Sequence, residues 1–251
     1  RALTREPAMP DLPEILGCYQ SQKREKMGGQ GGKGRAFTQR IDWLAVRLDA
    51  ANILTFPLDE KHLPLPLQKL VPAEEFLNHF LPAPLLFTER IGPAAVVLTR
   101  LLRDVGPGLD HKTLPDAERA LFVVVLASLA AAGLPDTGNE AFNMLTDSGL
   151  GLSPEAQKLT INAFGIRLRK RGDFETAETF YRSALELAPT DARIMFNLAR
   201  TLYEKGDAAS CGHLLEQALA ADPDFAEAKA FLRWLKRRVR FDADEFPDIT
   251  I

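Results

Sequence analysis

Residues Lys170–Asp191 read KRGDFETAETFYRSALELAPTD. The chain returns to the same scheme at an offset of about 34 residues, a period that signals supersecondary units stacked in a row rather than one closed core. At that offset Leu168 falls on Leu202, Gly172 on Gly206, Asp173 on Asp207, Ala184 on Ala218, Leu185 on Leu219 and Pro189 on Pro223.

Each unit reads as two helices joined by a glycine-aspartate turn. Ser153-Pro154-Glu155 starts the first helix, with Ser153 as cap and Pro154 in the first helical position, where its missing N–H is not needed. Ile161, Phe164, Gly165 and Leu168 share one side. Gly172-Asp173 turns the chain, Ala177, Tyr181, Ala184 and Leu185 face back, and Pro189 stops the second helix. The next unit repeats this with Met195, Leu198, Ala199 and Leu202, then Gly206-Asp207, then Cys211, Leu215, Ala218, Leu219 and Pro223. Small residues belong where the helices cross, Gly165 against Ala177 and Ala199 against Cys211, because overpacking there costs about 1 to 3 kcal/mol. Cys211 is therefore read as a buried spacer rather than a reactive thiol. After Asp224 a last helix runs to about Arg240, with Ala226, Ala230, Leu232 and Leu235 inside and Lys229, Lys236, Arg237, Arg238 and Arg240 outside. A solenoid needs such a polar-backed helix at its end.

This layout resembles the tetratricopeptide repeat family over roughly a third of the chain. Lys170–Asp191 carries the resemblance: a glycine-aspartate turn, small residues at the helix crossing, an aromatic in the second helix and a closing proline. The departures are Ile161 and Met195 where an early aromatic is expected, and Leu215 where the first unit has Tyr181. The resemblance implies an all-α fold with repeats at about 158–191 and 192–225 and a capping helix at 225–240. It also implies a groove, lined by the first helix of each unit, that accepts a peptide or helix of a protein partner. By position that groove holds Leu159, Asn162, Ile166 and Arg169, then Arg193, Phe196, Asn197, Arg200 and Tyr203, then Phe231, Trp234 and Arg238. Arginine among aromatic side chains is a hot-spot composition and suits an acidic partner. Asn162 and Asn197 also suit a role bridging helices. Some family members clamp a terminal carboxylate with a lysine, asparagine and arginine set; here Asn197 alone falls on a matching position, and Ile166, Glu227 and Phe231 stand where polar or basic residues would be needed.

Outward from the repeats, residues 1–35 combine prolines, the basic cluster Lys23, Arg24 and Lys26, and Gly28, Gly29, Gly31, Gly32 and Gly34, a composition with little to bury that predicts flexible chain. The glycines do not make a phosphate-binding P-loop, since Lys33 is followed by Gly34 rather than Ser or Thr. Gly28-Gly29-Gln30 resembles the peptidyl-tRNA hydrolysis motif of release factors, with Arg35 and Arg40 downstream. Ile41, Leu44, Ala45 and Leu48 recur at helical spacing and predict a helix to about Leu54. Prolines 57, 64, 66 and 72 then mark an extended connection, and further helices are predicted over 73–81, from Gly92-Pro93 to Gly106, from Pro115 to Gly133, and over 139–145. Gly138 stands one period before Gly172, so a degenerate extra unit is an open alternative. Residues 36–150 are thus expected to be a helical region that caps the solenoid. Residues 242–251, with Asp242, Asp244, Glu245 and Asp248, form an acidic tail that could screen the basic helix.

Bulk composition fits a soluble globular protein: 251 residues, 46% hydrophobic, 26% charged and a formal charge of -3. That charge gives no general reason to expect nucleic acid or an anionic membrane. Two cysteines, Cys18 and Cys211, make no disulfide framework and point to a reducing, cytoplasmic setting. The apolar run from Ala120 to Ala132 is too short for a membrane span, which needs about 20 residues. His62, His79, His111 and His213 lack ligand spacing, no nucleophile has a recognisable partner, and no metal, cofactor or catalysis is expected. The expectation is a non-catalytic interaction module: an adaptor, scaffold or chaperone-like protein. An RNA-contacting or translation-linked protein acting through Lys23–Arg40 is the alternative.

Overall fold

Strands, not helices, organise the N-terminal unit. The computed structural model describes residues 13–26, 36–105, 109–134 and 154–244, and the chain divides into two compact units, residues 1–157 and 158–251. In the first, β1 (Glu14–Lys26), β2 (Ala36–Arg47), β3 (Asn52–Pro57), β4 (Lys69–Pro72) and β5 (Phe80–Pro82) form an antiparallel sheet of order β4-β3-β2-β1-β5. Its longer helices among the described residues are α1 (Ala73–His79), α2 (Gly92–Val105), entered through a π-helical turn at Phe87–Ile91, and α3 (Asp116–Ala131).

Both faces of the sheet are covered. Cys18, Leu44, Val46, Leu54 and Phe56 share a core with Ala95, Leu98 and Leu102 of α2 and Leu121, Val125 and Leu129 of α3. Tyr19, which follows Cys18 and so points the other way, meets Phe76 of α1 with ring centroids 4.8 Å apart. Ile15 and Cys18 face the same way although they are three residues apart, because the register of β1 shifts between Ile15 and Gly17. Gly17 takes φ +105° at this bulge, a backbone region open to glycine.

The all-α expectation therefore fails for residues 36–150, and the helix expected from Arg40 to about Leu54 is instead β2, a turn and β3. The reason is burial on both faces. Leu44, Ala45 and Val46 are all buried, as are Ile53, Leu54, Thr55 and Phe56. Such runs lack the alternation that marks a one-sided strand. Residues 1–35 are not wholly flexible either, since Glu14–Lys26 is a strand; residues 1–12 and 27–35, including Gly28-Gly29-Gln30, lie outside the described residues. The helices over 73–79, 92–105 and 116–131 stand as expected, while the one expected over 139–145 and Ser153 fall outside the described residues.

The repeat region consists of α4 (Pro154–Lys170), α5 (Phe174–Leu187), α6 (Ala192–Glu204), α7 (Ala208–Ala221) and α8 (Ala226–Asp244). Both units turn in the same way. Gly172 and Gly206 adopt φ +86° and +89°, and the following aspartate amides reach back to Leu168 O and Leu202 O at 3.0 and 2.9 Å. This is the glycine-terminated helix end that satisfies orphan carbonyls. Asp173 and Asp207 then cap α5 and α7, accepting from the amides of Thr176 at 3.2 Å and Ser210 at 3.0 Å. The helix crossing differs from expectation in its partner: a Cβ on Gly165 would fall 2.7 Å from Cε1 of Tyr181, so the tyrosine ring sets the glycine's size limit, not Ala177. On α8 the inward stripe is Ala228, Phe231, Leu232 and Leu235; Ala226 and Ala230 are exposed, contrary to expectation. The helix also runs on to Asp244, so Asp242 and Asp244 belong to it and not to a tail.

Asp191 joins the units chemically. Its carboxylate accepts from the amides of Arg193 and Ile194 at 3.0 and 3.1 Å, capping α6, and pairs with Lys158 Nζ of α4 at 3.0 Å. Burial alone would raise the Asp191 carboxyl, but the Lys158 ammonium and the two amides outweigh it and hold it below its ordinary value. A depressed folded value means that its stabilising share is complete above the unfolded value of about 3.9 and is lost as pH falls through the folded one. Asp191→Ala is expected to destabilise the repeats by about 1 kcal/mol through the cap. In urea titrations across pH, the deficit of Asp191→Ala should be constant near neutrality and shrink below about pH 4; a pH-independent deficit would contradict this.

Candidate partner-binding groove

Helices α6 and α8 place aromatic side chains on facing sides of one cleft. The spacing of Phe196, Arg200 and Tyr203 on α6, four residues and then three, puts them one turn apart on one face, and Phe231, Trp234 and Arg238 on α8 do the same with three and then four. Phe196 lies 6.3 Å from Phe231 and 5.1 Å from Phe225; Tyr203 lies 5.6 Å from Phe231 and 5.3 Å from Trp234. The contacts are mostly edge-to-face, which aromatic quadrupoles favour. Together with Arg200 and Glu204, the rings of Phe196, Tyr203, Phe231 and Trp234 line a cavity of about 340 Å³. Arg200 stacks over Phe196 at 5.8 Å, and Arg238 over Trp234 at 5.5 Å, so the aromatic walls carry a cation at each side. Trp234 remains 38% exposed although it sits in this cluster, a large apolar side chain within reach of a ligand.

The sequence-derived residues divide into groups. Phe196, Arg200, Tyr203, Phe231, Trp234 and Arg238 come together here. Asn162 and Asn197 bond to each other, Nδ2 of Asn197 donating to Oδ1 of Asn162 at 3.0 Å, so this pair ties α4 to α6. Arg169 is partly buried beside Tyr181, Ile166 is half-buried, and Leu159 is exposed. Arg193 is exposed at the first turn of α6 and does not line the cavity. Sequence reading missed Glu204, which sits on the cavity wall, and Phe225, which extends the ring cluster from the loop before α8. Phe225 precedes the helix, outside the helical periodicity that selected the others.

A second, larger cavity of about 700 Å³ lies between α7 and α8, against Ala208, Ala209 and Gly212 on one side and Leu232 and Leu235 on the other. An ion pair between Lys236 Nζ and Glu216 at 2.8 Å joins its two sides. Its lining includes His213 but no Phe, Tyr or Trp. Both cysteines are free and buried; burial pushes the Cys18 thiol up and that of Cys211 up to about 11, so both stay protonated at neutral pH. Among the described residues, no group of His, Cys, Asp and Glu could hold a metal ion, and no helix is long and apolar enough to cross a membrane.

Residues 168–235 match the tetratricopeptide repeat family. No curated protein matches the chain. The match takes in the turn at Gly172, α5, α6, α7 and the first half of α8, and therefore the whole aromatic cleft.

Proposed function

We propose, for a chain whose residues 168–235 form tetratricopeptide repeats, that the cleft between α6 and α8 binds a peptide or helix of a protein partner, and that the protein works as an adaptor, scaffold or chaperone-like module. Repeats of this family generally mediate protein–protein interaction. The observation that carries the finer reading is the ring cluster of Phe196, Tyr203, Phe231 and Trp234 flanked by stacked Arg200 and Arg238. Desolvated aromatic and arginine anchors are where binding energy concentrates. Two cations beside an apolar wall favour a partner that combines an apolar anchor with acidic residues.

The test is co-purification with the tagged full-length chain from its native cell, followed by affinity measurement on the recovered partner. Trp234→Ala and Arg200→Glu are each expected to weaken that partner by at least about 30-fold, the loss typical of a hot-spot residue. Arg193→Glu, outside the cavity, should have a much smaller effect. Affinity unchanged in both cleft variants would refute groove binding.

A further inference from the structure

In the N-terminal unit, β1 and β2 run on past the body of the sheet as a ribbon of their own. β5 pairs with β1 only at Tyr19–Ser21, and β3 pairs with β2 only at Trp43–Arg47. The five rungs beyond, from Gln22 opposite Arg40 to Lys26 opposite Ala36, pair only with each other among the described residues. At about 3.4 Å per residue they carry the ribbon on for about 17 Å. Their ten residues hold four cations, Lys23, Arg24, Lys26 and Arg40, and one acid, Glu25, in a chain whose formal charge is -3.

Register divides these residues between two faces. Cys18 stands opposite Leu44, on the face that packs against α2 and α3. Successive residues of a strand alternate, so the same face of the ribbon holds Gln22, Arg24 and Lys26 on β1 and Ala36, Thr38 and Arg40 on β2. Glu25 falls on the opposite face. The first acid on the cationic face is Asp42 at its root, whose Oδ1 lies 3.9 Å from Nε of Arg40; the Arg40 side chain is nevertheless 63% exposed. Charge on an unpaired edge discourages pairing with other chains. That need is met by either sign on either face, and it does not account for three cations that share one face with small and polar residues alone.

We propose that this ribbon binds double-stranded DNA, with Arg24, Lys26 and Arg40 neutralising backbone phosphates. The site is separate from the cleft between α6 and α8 and stands or falls without it. Two features select the ligand. Protein interfaces are anchored by apolar and aromatic residues and depleted of lysine at their centres, whereas this face offers arginine, lysine, glutamine and threonine, the residues that contact phosphates and base edges. Shape selects the duplex: two paired strands stand about 4.8 Å apart, and the B-form major groove, about 12 Å wide, admits a two-stranded ribbon. The major groove of duplex RNA is too deep and narrow for that.

The test is fluorescence anisotropy of the full chain with a labelled, mixed-sequence DNA duplex of about 20 base pairs, its single strand and an RNA duplex of the same sequence, between about 50 and 200 mM salt. The DNA duplex is expected to bind most tightly, and each of the three cations to contribute about 0.9 to the slope of log affinity against log salt. Arg24→Gln, Lys26→Gln and Arg40→Gln combined should lower that slope by about 2 to 3 and weaken binding at the lowest salt by about tenfold or more. Arg24→Lys with Arg40→Lys keeps the charges and should keep the slope. Lys229→Gln, Arg233→Gln and Arg237→Gln, which remove as much charge from α8, should leave it unchanged. Five outcomes overturn the proposal: no binding of the DNA duplex, an unchanged slope in the ribbon glutamine variant, an equal fall in the α8 variant, a slope lost in the lysine variant, or single strand or RNA duplex bound as tightly as the DNA duplex. Displacement of the duplex by polyglutamate as readily as by unlabelled duplex counts against it equally, since the ribbon would then read acid of any kind.

Discussion

Replacing Phe76 with alanine is expected to lower the stability of the N-terminal unit by about 3 to 5 kcal/mol, the usual loss when a buried aromatic is cut back to a methyl. Phe76 is 0% exposed. Its ring stacks on Phe80 with centroids 4.6 Å apart and planes 12° from parallel, and takes the edge of Tyr19 at 4.8 Å. Each such ring pair adds about 0.5 to 1.5 kcal/mol beyond area burial, which favours the upper part of the range. A domain of this size is typically stable by about 5 to 15 kcal/mol, so the variant should lose a large share of its margin. Trp43, whose ring lies 5.8 Å from Phe80, reports this unit by fluorescence when Trp234 is replaced by Phe in both proteins. Phe76→Leu, which keeps most of the volume, should cost less than half as much. A loss below about 1 kcal/mol for the alanine variant would mean that α1 is not packed on β1 and β5 as described.

That unit was hard to read from its residues because its apolar pattern is continuous. Trp43, Leu44, Ala45 and Val46 follow one another, and so do Ile53, Leu54, Thr55 and Phe56, without a charged residue to reveal which neighbour faces water. Helical spacing can always be found in such a run, and Ile41, Leu44, Ala45 and Leu48 supplied it. What decides for strands is pairing across sequence, Cys18 with Leu44 and Leu44 with Phe56. Long-range pairing of this kind leaves no local mark. The repeats were legible for the opposite reason: their determinants are local and occur twice. Gly172 and Gly206 announce a backbone region few other residues enter, and Asp173 and Asp207 announce the next helix start. The cleft was legible in part. Helical position selected Phe196, Arg200, Tyr203, Phe231 and Trp234 correctly as neighbours. It gave Arg193 the same standing, though only the fold shows that this side chain does not line the cleft.

Gly165→Ala, by contrast, sets two local effects against each other, and the clash is expected to win. In an exposed helix the change would stabilise by about 1 kcal/mol through helix propensity. Here the new Cβ would sit 2.7 Å from Cε1 of Tyr181 and 3.0 Å from Cδ1 and Cζ, far inside the roughly 3.5 to 4.0 Å at which carbon atoms attract. The ring is fully buried and cannot swing away. Overpacking costs about 1 to 3 kcal/mol in a well-packed core, and a rigid neighbour on this side of the range leaves a net loss of about 2 kcal/mol. The protein itself contains the remedy, since the second unit solves the same crossing with Ala199 and Leu215, both 0% exposed. Gly165→Ala combined with Tyr181→Leu installs that pair in the first unit. Thermal unfolding should show the double variant within about 1 kcal/mol of wild type, a coupling of the size seen between residues in direct contact. If the double variant is as unstable as Gly165→Ala alone, the tyrosine ring is not what holds position 165 to glycine. If it recovers stability, contact with the Tyr181 ring accounts for the glycine at this crossing.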